Sequence, residues 1–266
     1  MIRILFLGDI VGEPGRKAVR ARLPEIKVEK SIDFAIVNGE NSAGGRGITP
    51  KISIELLRAG AAVITTGDHA WDQVEICEYF PTEPRLLRPV NYPPGTPGSG
   101  SIVLETKKGK VGVLNVQGRA FIQPPLENPY LYAEQEVQRM RDEEGAKVIF
   151  VDFHAETTSE KIAMGRMLDG HVSAVVGTHT HVQTADEQIF PGGTAFLCDA
   201  GMCGPVESIL GRRIEPVVER FKTGLPQRFP VAKGTTGLRG VIVDVDEETG
   251  KATAIERFAE DYDREE

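Results

Sequence analysis

The chain of 266 residues has little cysteine: Cys77, Cys198 and Cys203 are an odd number with no CxxC spacing. That excludes a disulfide-stapled mini-protein and fits a reducing compartment with buried or incidental thiols. There is no excess of basic residues either. Lys and Arg number 31 against 39 Asp and Glu, a net charge of -8, so the whole molecule lacks the field that non-specific nucleic-acid binding needs. No DNA partner is expected, although a local basic pocket remains allowed. No apolar run approaches the ~18 residues of a membrane span, and Ile4 to Leu7 is cut by Gly8-Asp9 too early for a signal-peptide core. A cytoplasmic protein with no membrane partner is the expectation. Nucleotide and esterase signatures are missing as well. Gly44-Gly45-Arg46-Gly47 lacks the Gly-Lys-Ser/Thr ending of a P-loop, Gly8 to Gly15 does not fit GxGxxG, and there is no GxSxG elbow.

What remains is ordinary globular material, with 40% hydrophobic and 26% charged residues, 29 Gly and 17 Pro, enough to bury a full core. Apolar runs rich in Val and Ile alternate with helix-like stretches, the pattern of an α/β protein. Strands are expected at Ile2 to Leu7, Phe34 to Val37, Ala62 to Thr65, Val111 to Val116, Val148 to Phe153, Val172 to Val176 and Thr194 to Leu197. Most are apolar on both faces, as in a sheet covered on both sides. Thr49-Pro50 reads as an N-cap and first helical residue, with Gly60 as the stop, and Thr157 with Glu160 matches a capping box closed by Gly170. Ala133 to Glu144 reads as a solvated surface helix. Hairpins are expected at Lys107 to Lys110 and Glu247 to Gly250, a loop at Asn91 to Gly100, and a frayed acidic tail at Glu260 to Glu266. One domain, 1–266, is expected. Residues 201–234, with Arg212, Arg213, Arg220, Lys222 and Arg228, interrupt two strands as a cap or lid does.

The chemistry gathers where strands end. Leu7 runs into Gly8-Asp9, Val37 into Asn38-Gly39-Glu40-Asn41, Thr65 into Gly67-Asp68-His69, Phe153 into His154, and Val176 into Gly177-Thr178-His179-Thr180-His181. In open α/β sheets, ligands bind outside the carboxyl ends of the strands. A single Asp after a strand is most often a turn residue, and a lone His is most often a packed one. Four of the five histidines at strand ends are a different matter; His171, elsewhere, reads as structural. Residues spaced i and i+2 on extended backbone point the same way, so His179 and His181 can both face one site. Imidazole with carboxylate suits Mn, Fe or Zn, and the donors exceed what one tetrahedral ion needs. Two divalent ions are implied, and a bridging carboxylate would hold them ~3.5 to 4 Å apart for displacement at phosphorus.

These blocks resemble the calcineurin-like metallophosphoesterases. More closely, Gly8-Asp9-Ile10-Val11-Gly12, Asn38 to Gly45 and Gly177 to Thr184 are similar to the bacterial YmdB-like phosphodiesterases, in order and across nearly the whole chain. The resemblance implies a four-layer sandwich of two mixed β-sheets flanked by helices. It implies Asp9, Glu40 and His181 as ligands of one metal, and Glu40, Asp68, His154 and His179 as ligands of the other, Glu40 bridging. His69 would be the general acid and Asn41 the amide that touches metal-bound solvent or phosphate. Fe or Mn is the expected metal, with Zn or Mg as alternatives. The DxH of the broader superfamily's first block is missing. Position 68 is Asp where the YmdB-like pattern has Asn. With two divalent ions and one bridging hydroxide, three carboxylates leave the cluster neutral, where Asn would leave it positive.

The expected activity is a metal-dependent phosphoric diester hydrolase acting on small phosphodiesters, 2',3'-cyclic nucleotides first and 3',5'-cAMP as a further candidate. Metal-activated hydroxide would attack in line while His69 protonates the leaving oxygen. Arg46, Arg119 and Arg212 are candidates for holding phosphate or base. The alternatives are a phosphomonoesterase or nucleotidase on the same metal pair, and a weakly catalytic metal- or nucleotide-binding regulatory protein. A homo-oligomer is a further expectation from the resemblance.

Overall fold

Strand β1 (Ile2–Leu7) sets the plan. Ile2, Ile4 and Phe6 face one core and Leu5 and Leu7 another, so both sides of its sheet must be covered. The computed structural model describes residues 1–263. After β1 come β2 (Asp9–Ile10), α1 (Gly12–Glu29), β3 (Phe34–Asn38), α2 (Pro50–Arg58), β4 (Val63–Thr65), α3 (Ile76–Tyr79), β5 (Ser101–Thr106) and β6 (Gly109–Gln117). They are followed by α4 (Pro129–Asp142), β7 (Val148–His154), α5 (Thr158–Met167), β8 (Ala174–Thr178), β9 (Gln188–Ile189), β10 (Ala195–Leu197), β11 (Met202–Pro205), α6 (Ile214–Thr223), β12 (Thr236–Val245) and β13 (Ala252–Tyr262).

Two mixed sheets form, one in the order β2-β11-β12-β1-β3-β4 with β13 beside β12, the other β5-β6-β7-β8-β10-β9. Their facing sides share a core of Ile2, Ile4, Phe6, Phe34 and Ile36 against Val111, Val113, Phe150 and Val176. The Phe6 and Phe150 rings meet at 5.1 Å. On the outside of the first sheet, Leu5, Leu7 and Val37 pack with Val19, Leu23 and Ile26 of α1 and Leu56 of α2. On the outside of the second, Leu114, Val151 and Phe153 pack with Val137 and Met140 of α4 and Met164 of α5. The result is the four-layer α/β sandwich. Each fully buried Val, Ile or Phe stabilises it by about 1.5–3 kcal/mol, and alternate residues of one strand serve different layers.

All seven expected strands are present within two residues of their expected bounds, and both hairpins close where expected. Thr49 Oγ1 accepts from Ile52 N–H (3.3 Å) and Thr157 Oγ1 from Glu160 N–H (3.4 Å), as their caps require. Other details differ. Helix α1 is not anticipated in the sequence. Helix α4 begins four residues before Ala133, capped by Asn128, and buries Ala133, Val137 and Met140 instead of lying fully solvated. Glu260 to Tyr262 finish β13, and the last three residues of the expected tail lie outside the described residues. Among the described residues no helix is long and apolar enough to cross a membrane.

Candidate metal centre

β1, β3 and β4 run parallel in one sheet, β7 and β8 in the other, and their carboxyl ends meet at one edge. Asp152 of β7 pins the two sheets there. It accepts from Asn38 Nδ2 (2.9 Å) and Thr65 Oγ1 across the gap, and from Thr178 Oγ1 (2.7 Å) beside it. Burial pushes its carboxyl up to about 6, against the charge of His154 and these three donors.

Over this anchor the side chains converge. One ligand atom each from Glu40, Asp68, His154 and His179 lie within 4.8 Å of one another. His154 Nε2 is 3.0 Å from Asp68 Oδ1, 3.2 Å from Glu40 Oε1 and 3.0 Å from His179 Nδ1. Beyond Glu40 lies a second group. Asn41 Nδ2 donates to Glu40 Oε1 (2.8 Å) and is 3.2 Å from His181 Nε2, which is 3.8 Å from Asp9 Oδ1. Glu40 therefore stands between Asp68, His154 and His179 on one side and Asp9, Asn41 and His181 on the other.

Each histidine is held at its other nitrogen, as a metal-ligating imidazole needs. Thr178 has one hydroxyl proton, given to Asp152, so its oxygen accepts from His154 Nδ1 (2.9 Å) and leaves Nε2 for the cluster. Glu156 Oε2 takes His179 Nε2 at 3.1 Å, and the carbonyl of Leu210 takes His181 Nδ1 at 3.3 Å. Burial opposes a charge on His154, but Glu40, Asp68 and Asp9 hold its imidazolium well above the ordinary value. Burial likewise opposes ionisation of Asp68, and His154, His179 and His69 hold its carboxyl far below the ordinary range. A cluster that draws protons in this way is built for positive charge.

Three observations fit divalent ions in particular. Asp9 Oδ1 is sealed from solvent and has no hydrogen-bond partner. Gly67 leaves a cradle, since a Cβ there would lie 2.2 Å from Glu40 Oε2 and 2.4 Å from His154 Nε2. The donors are oxygen and imidazole, the set that Mn, Fe and Zn accept.

His69 lies at the rim. Its Nδ1 is 3.2 Å from Asp72 Oδ2 and 3.5 Å from Arg46 Nη2, and its Nε2 is 3.7 Å from Asp68 Oδ2. Arg46 Nε closes the set on Asp72 at 2.8 Å. Arg212 donates to the carbonyls of Gly44 (3.3 Å), Gly45 and Phe229 (3.1 Å), tying residues 206–235 to the loop after Asn41. Arg119 is exposed on the loop after β6, its N–H taken by Glu160. His171 lies apart from the cluster, its carbonyl bonded to Arg141.

A family model for YmdB-like proteins matches residues 5–258. The chain belongs to the YmdB-like family. A 2',3'-cyclic-nucleotide 2'-phosphodiesterase of Bacillus subtilis is 50% identical to it over 260 residues, 97% of this chain and 96% of that one. A crystal structure of a phosphatase from Mycoplasma pneumoniae overlays with a TM-score of 0.92 at 35% identity, covering 99% of this chain and 95% of that one. A hypothetical protein from Thermus thermophilus overlays with a TM-score of 0.90 at 39% identity, covering 98% and 99%.

The geometry of this YmdB-like chain corrects one expectation. His179 and His181 face the same cluster, but not by extended alternation: β8 stops at Thr178, and both residues have positive φ, 96° and 65°. Sequence reasoning also missed Asp152, Thr178, Glu156 and Asp72 as partners of the histidines. Asp152 shares a strand face with His154 two residues on, which is the one pattern that pointed to it.

Proposed function

We propose that the chain is a dinuclear-metal phosphodiesterase whose substrates are 2',3'-cyclic nucleotides. The observation that carries this reading is the buried cluster divided by Glu40, with Asp9 Oδ1, which has no hydrogen-bond partner, on its far side. In it, Glu40, Asp68, His154 and His179 would hold one ion, and Asp9, His181 and Glu40 would hold the other. Bound there, two divalent ions supply activated water and neutralise charge growing at phosphorus. Iron or manganese suits these donors best.

The protein's own groups do the rest. Asp72 fixes the His69 ring through Nδ1, so Nε2 faces the Asp68 side and hands its proton to the leaving 2'-oxygen. One amide N–H of Asn41 is given to Glu40 Oε1; the other, aimed at His181 Nε2, would be freed for the phosphate once an ion takes that nitrogen. Residues 206–234 act as the cap, since Met202–Pro205 of the expected segment form β11 in the sheet; Arg212 anchors it to the carbonyls of Gly44 and Gly45, and Arg46, paired with Asp72, stands at the rim toward the anionic substrate. In the reaction water adds to phosphorus, the bond to the 2'-oxygen breaks, and the product is a nucleoside 3'-phosphate. The name of the Bacillus subtilis relative supports this bond choice.

The test is product analysis with 2',3'-cyclic AMP and Mn²⁺-loaded protein. The 3'-monophosphate as the end product is expected. Adenosine and free phosphate would favour a phosphomonoesterase on the same centre, and binding without turnover would favour a regulatory protein.

A further inference from the structure

The backbone of the loop after β8 needs an enforcer. His179 and His181 both lie in the left-handed region, which persists for side-chain-bearing residues only where the surroundings impose it. Thr180, between them, is gripped twice. Its N–H (3.1 Å) and its Oγ1 (2.7 Å) both donate to Asp199 Oδ2. The same oxygen takes Lys161 Nζ at 2.7 Å, and Asp199 Oδ1 takes Gly201 N–H at 2.8 Å. The main chain of Asp199 holds the loop's far end, donating to Thr184 Oγ1 (2.9 Å) and accepting from Thr184 N–H (3.1 Å).

Lys161 and Asp199 are each 1% exposed, and neither takes part in the chemistry described above. Lys161 reaches Asp199 from α5 past Gly177, where a Cβ would lie 2.7 Å from Lys161 Cδ and 1.8 Å from the Cys198 carbonyl oxygen. The glycine that opens the histidine motif is thus the passage for the lysine. A buried ion pair is a poor device for stability, because desolvation offsets its attraction, whereas it fixes geometry well.

We propose that Lys161 and Asp199 are positioning residues of the metal centre. The pair clamps Thr180 and so turns His179 Nδ1 toward Asp68 and His181 Nε2 toward Asp9, one histidine to each ion. The inference rests on the metal-centre reading, and its test separates the two.

Metal-stripped full-length protein is titrated calorimetrically with Mn²⁺, and the loaded forms are examined by electron paramagnetic resonance. The unmutated chain binds two ions and shows an exchange-coupled pair. Thr180→Ala, which leaves the ion pair in place, keeps the metal-free fold by circular dichroism yet binds Mn²⁺ about 10- to 100-fold more weakly, with signals of isolated ions. Thr180→Ser keeps the hydroxyl and restores affinity and coupling. The charge-neutral Lys161→Met/Asp199→Asn double variant shows a loss at least as large. Two ions bound by Thr180→Ala with unchanged affinity and coupling overturn the positioning role. An unmutated chain that binds no Mn²⁺ overturns the metal centre itself.

Discussion

Replacing Asp68 by asparagine changes charge with almost no change of shape. Asp68 Oδ1 lies 3.0 Å from His154 Nε2 and 3.3 Å from His179 Nδ1, in the middle of one half of the cluster. Two effects of opposite sign follow. Metal binding weakens, because a neutral amide replaces a carboxylate that two imidazoles hold fully ionised against the cost of burial. Attraction for an anionic diester strengthens, because the loaded cluster gains one unit of positive charge. A unit charge ~4 Å from a phosphate is worth about 1 kcal/mol in water and about 4 kcal/mol at an effective dielectric constant near 20. Since 1.4 kcal/mol is a factor of ten, Asp68→Asn is expected to lower KM about fivefold or more at saturating metal. The same arithmetic weakens Mn²⁺ affinity by about tenfold or more. Calorimetry on metal-stripped protein and steady-state kinetics at saturating Mn²⁺ read the two effects separately. Unchanged metal affinity together with an unchanged KM refutes the reasoning.

His69→Ala should keep both ions yet lose about 10²- to 10⁴-fold in kcat on 2',3'-cyclic AMP, and lose far less on bis(p-nitrophenyl) phosphate, whose leaving group needs no proton. Equal losses on the two substrates would argue against a general acid. Gly67→Ala pushes a methyl group into the space between Glu40 and His154; it should fold but bind Mn²⁺ about 10- to 100-fold more weakly, measured by equilibrium dialysis. His154, held protonated above its ordinary 6.5 in the metal-free protein, makes two pH predictions. The stabilisation is complete below 6.5 and is lost as pH rises through the folded value, so the metal-free melting temperature should fall between neutral and alkaline pH, and loading with metal should remove that slope. The proton also competes with the cation, so Mn²⁺ affinity should rise with pH and binding should release protons, seen as a buffer-dependent binding enthalpy.

The strands were legible because apolar runs such as Ile2 to Leu7 and Val148 to Phe153 feed two cores at once, which leaves few polar positions to blur them. Helix α1 was not, because Gly12-Glu13-Pro14-Gly15 and Pro24 read as turn and breaker signals. Its glycine answers to a distant neighbour: a Cβ on Gly15 would lie 2.1 Å from the Cys203 carbonyl oxygen of β11. β12 was legible only as an arm of the hairpin at Glu247 to Gly250, because its apolar run is broken by Gly240, where an ideal Cβ would lie 2.0 Å from the Phe6 carbonyl oxygen. The residues that converge on the site stood out because imidazoles and carboxylates recur at strand ends. Their supporting partners did not. Asp152, Glu156, Asp72 and Asp199 are single acidic residues whose role exists only once β7, β8, β10 and the loops after β4 and β8 are side by side. The left-handed turns at His179 and His181 belong to this class too, since they are imposed by contacts around Thr180 and not by residue type.

The most direct test of a dinuclear phosphodiesterase is the rate of bis(p-nitrophenyl) phosphate hydrolysis by metal-stripped protein as Mn²⁺ is returned in measured equivalents. The account predicts a rate that climbs from near zero and saturates at about two ions per chain. A rate independent of added metal, or no rate at any metal concentration, contradicts it.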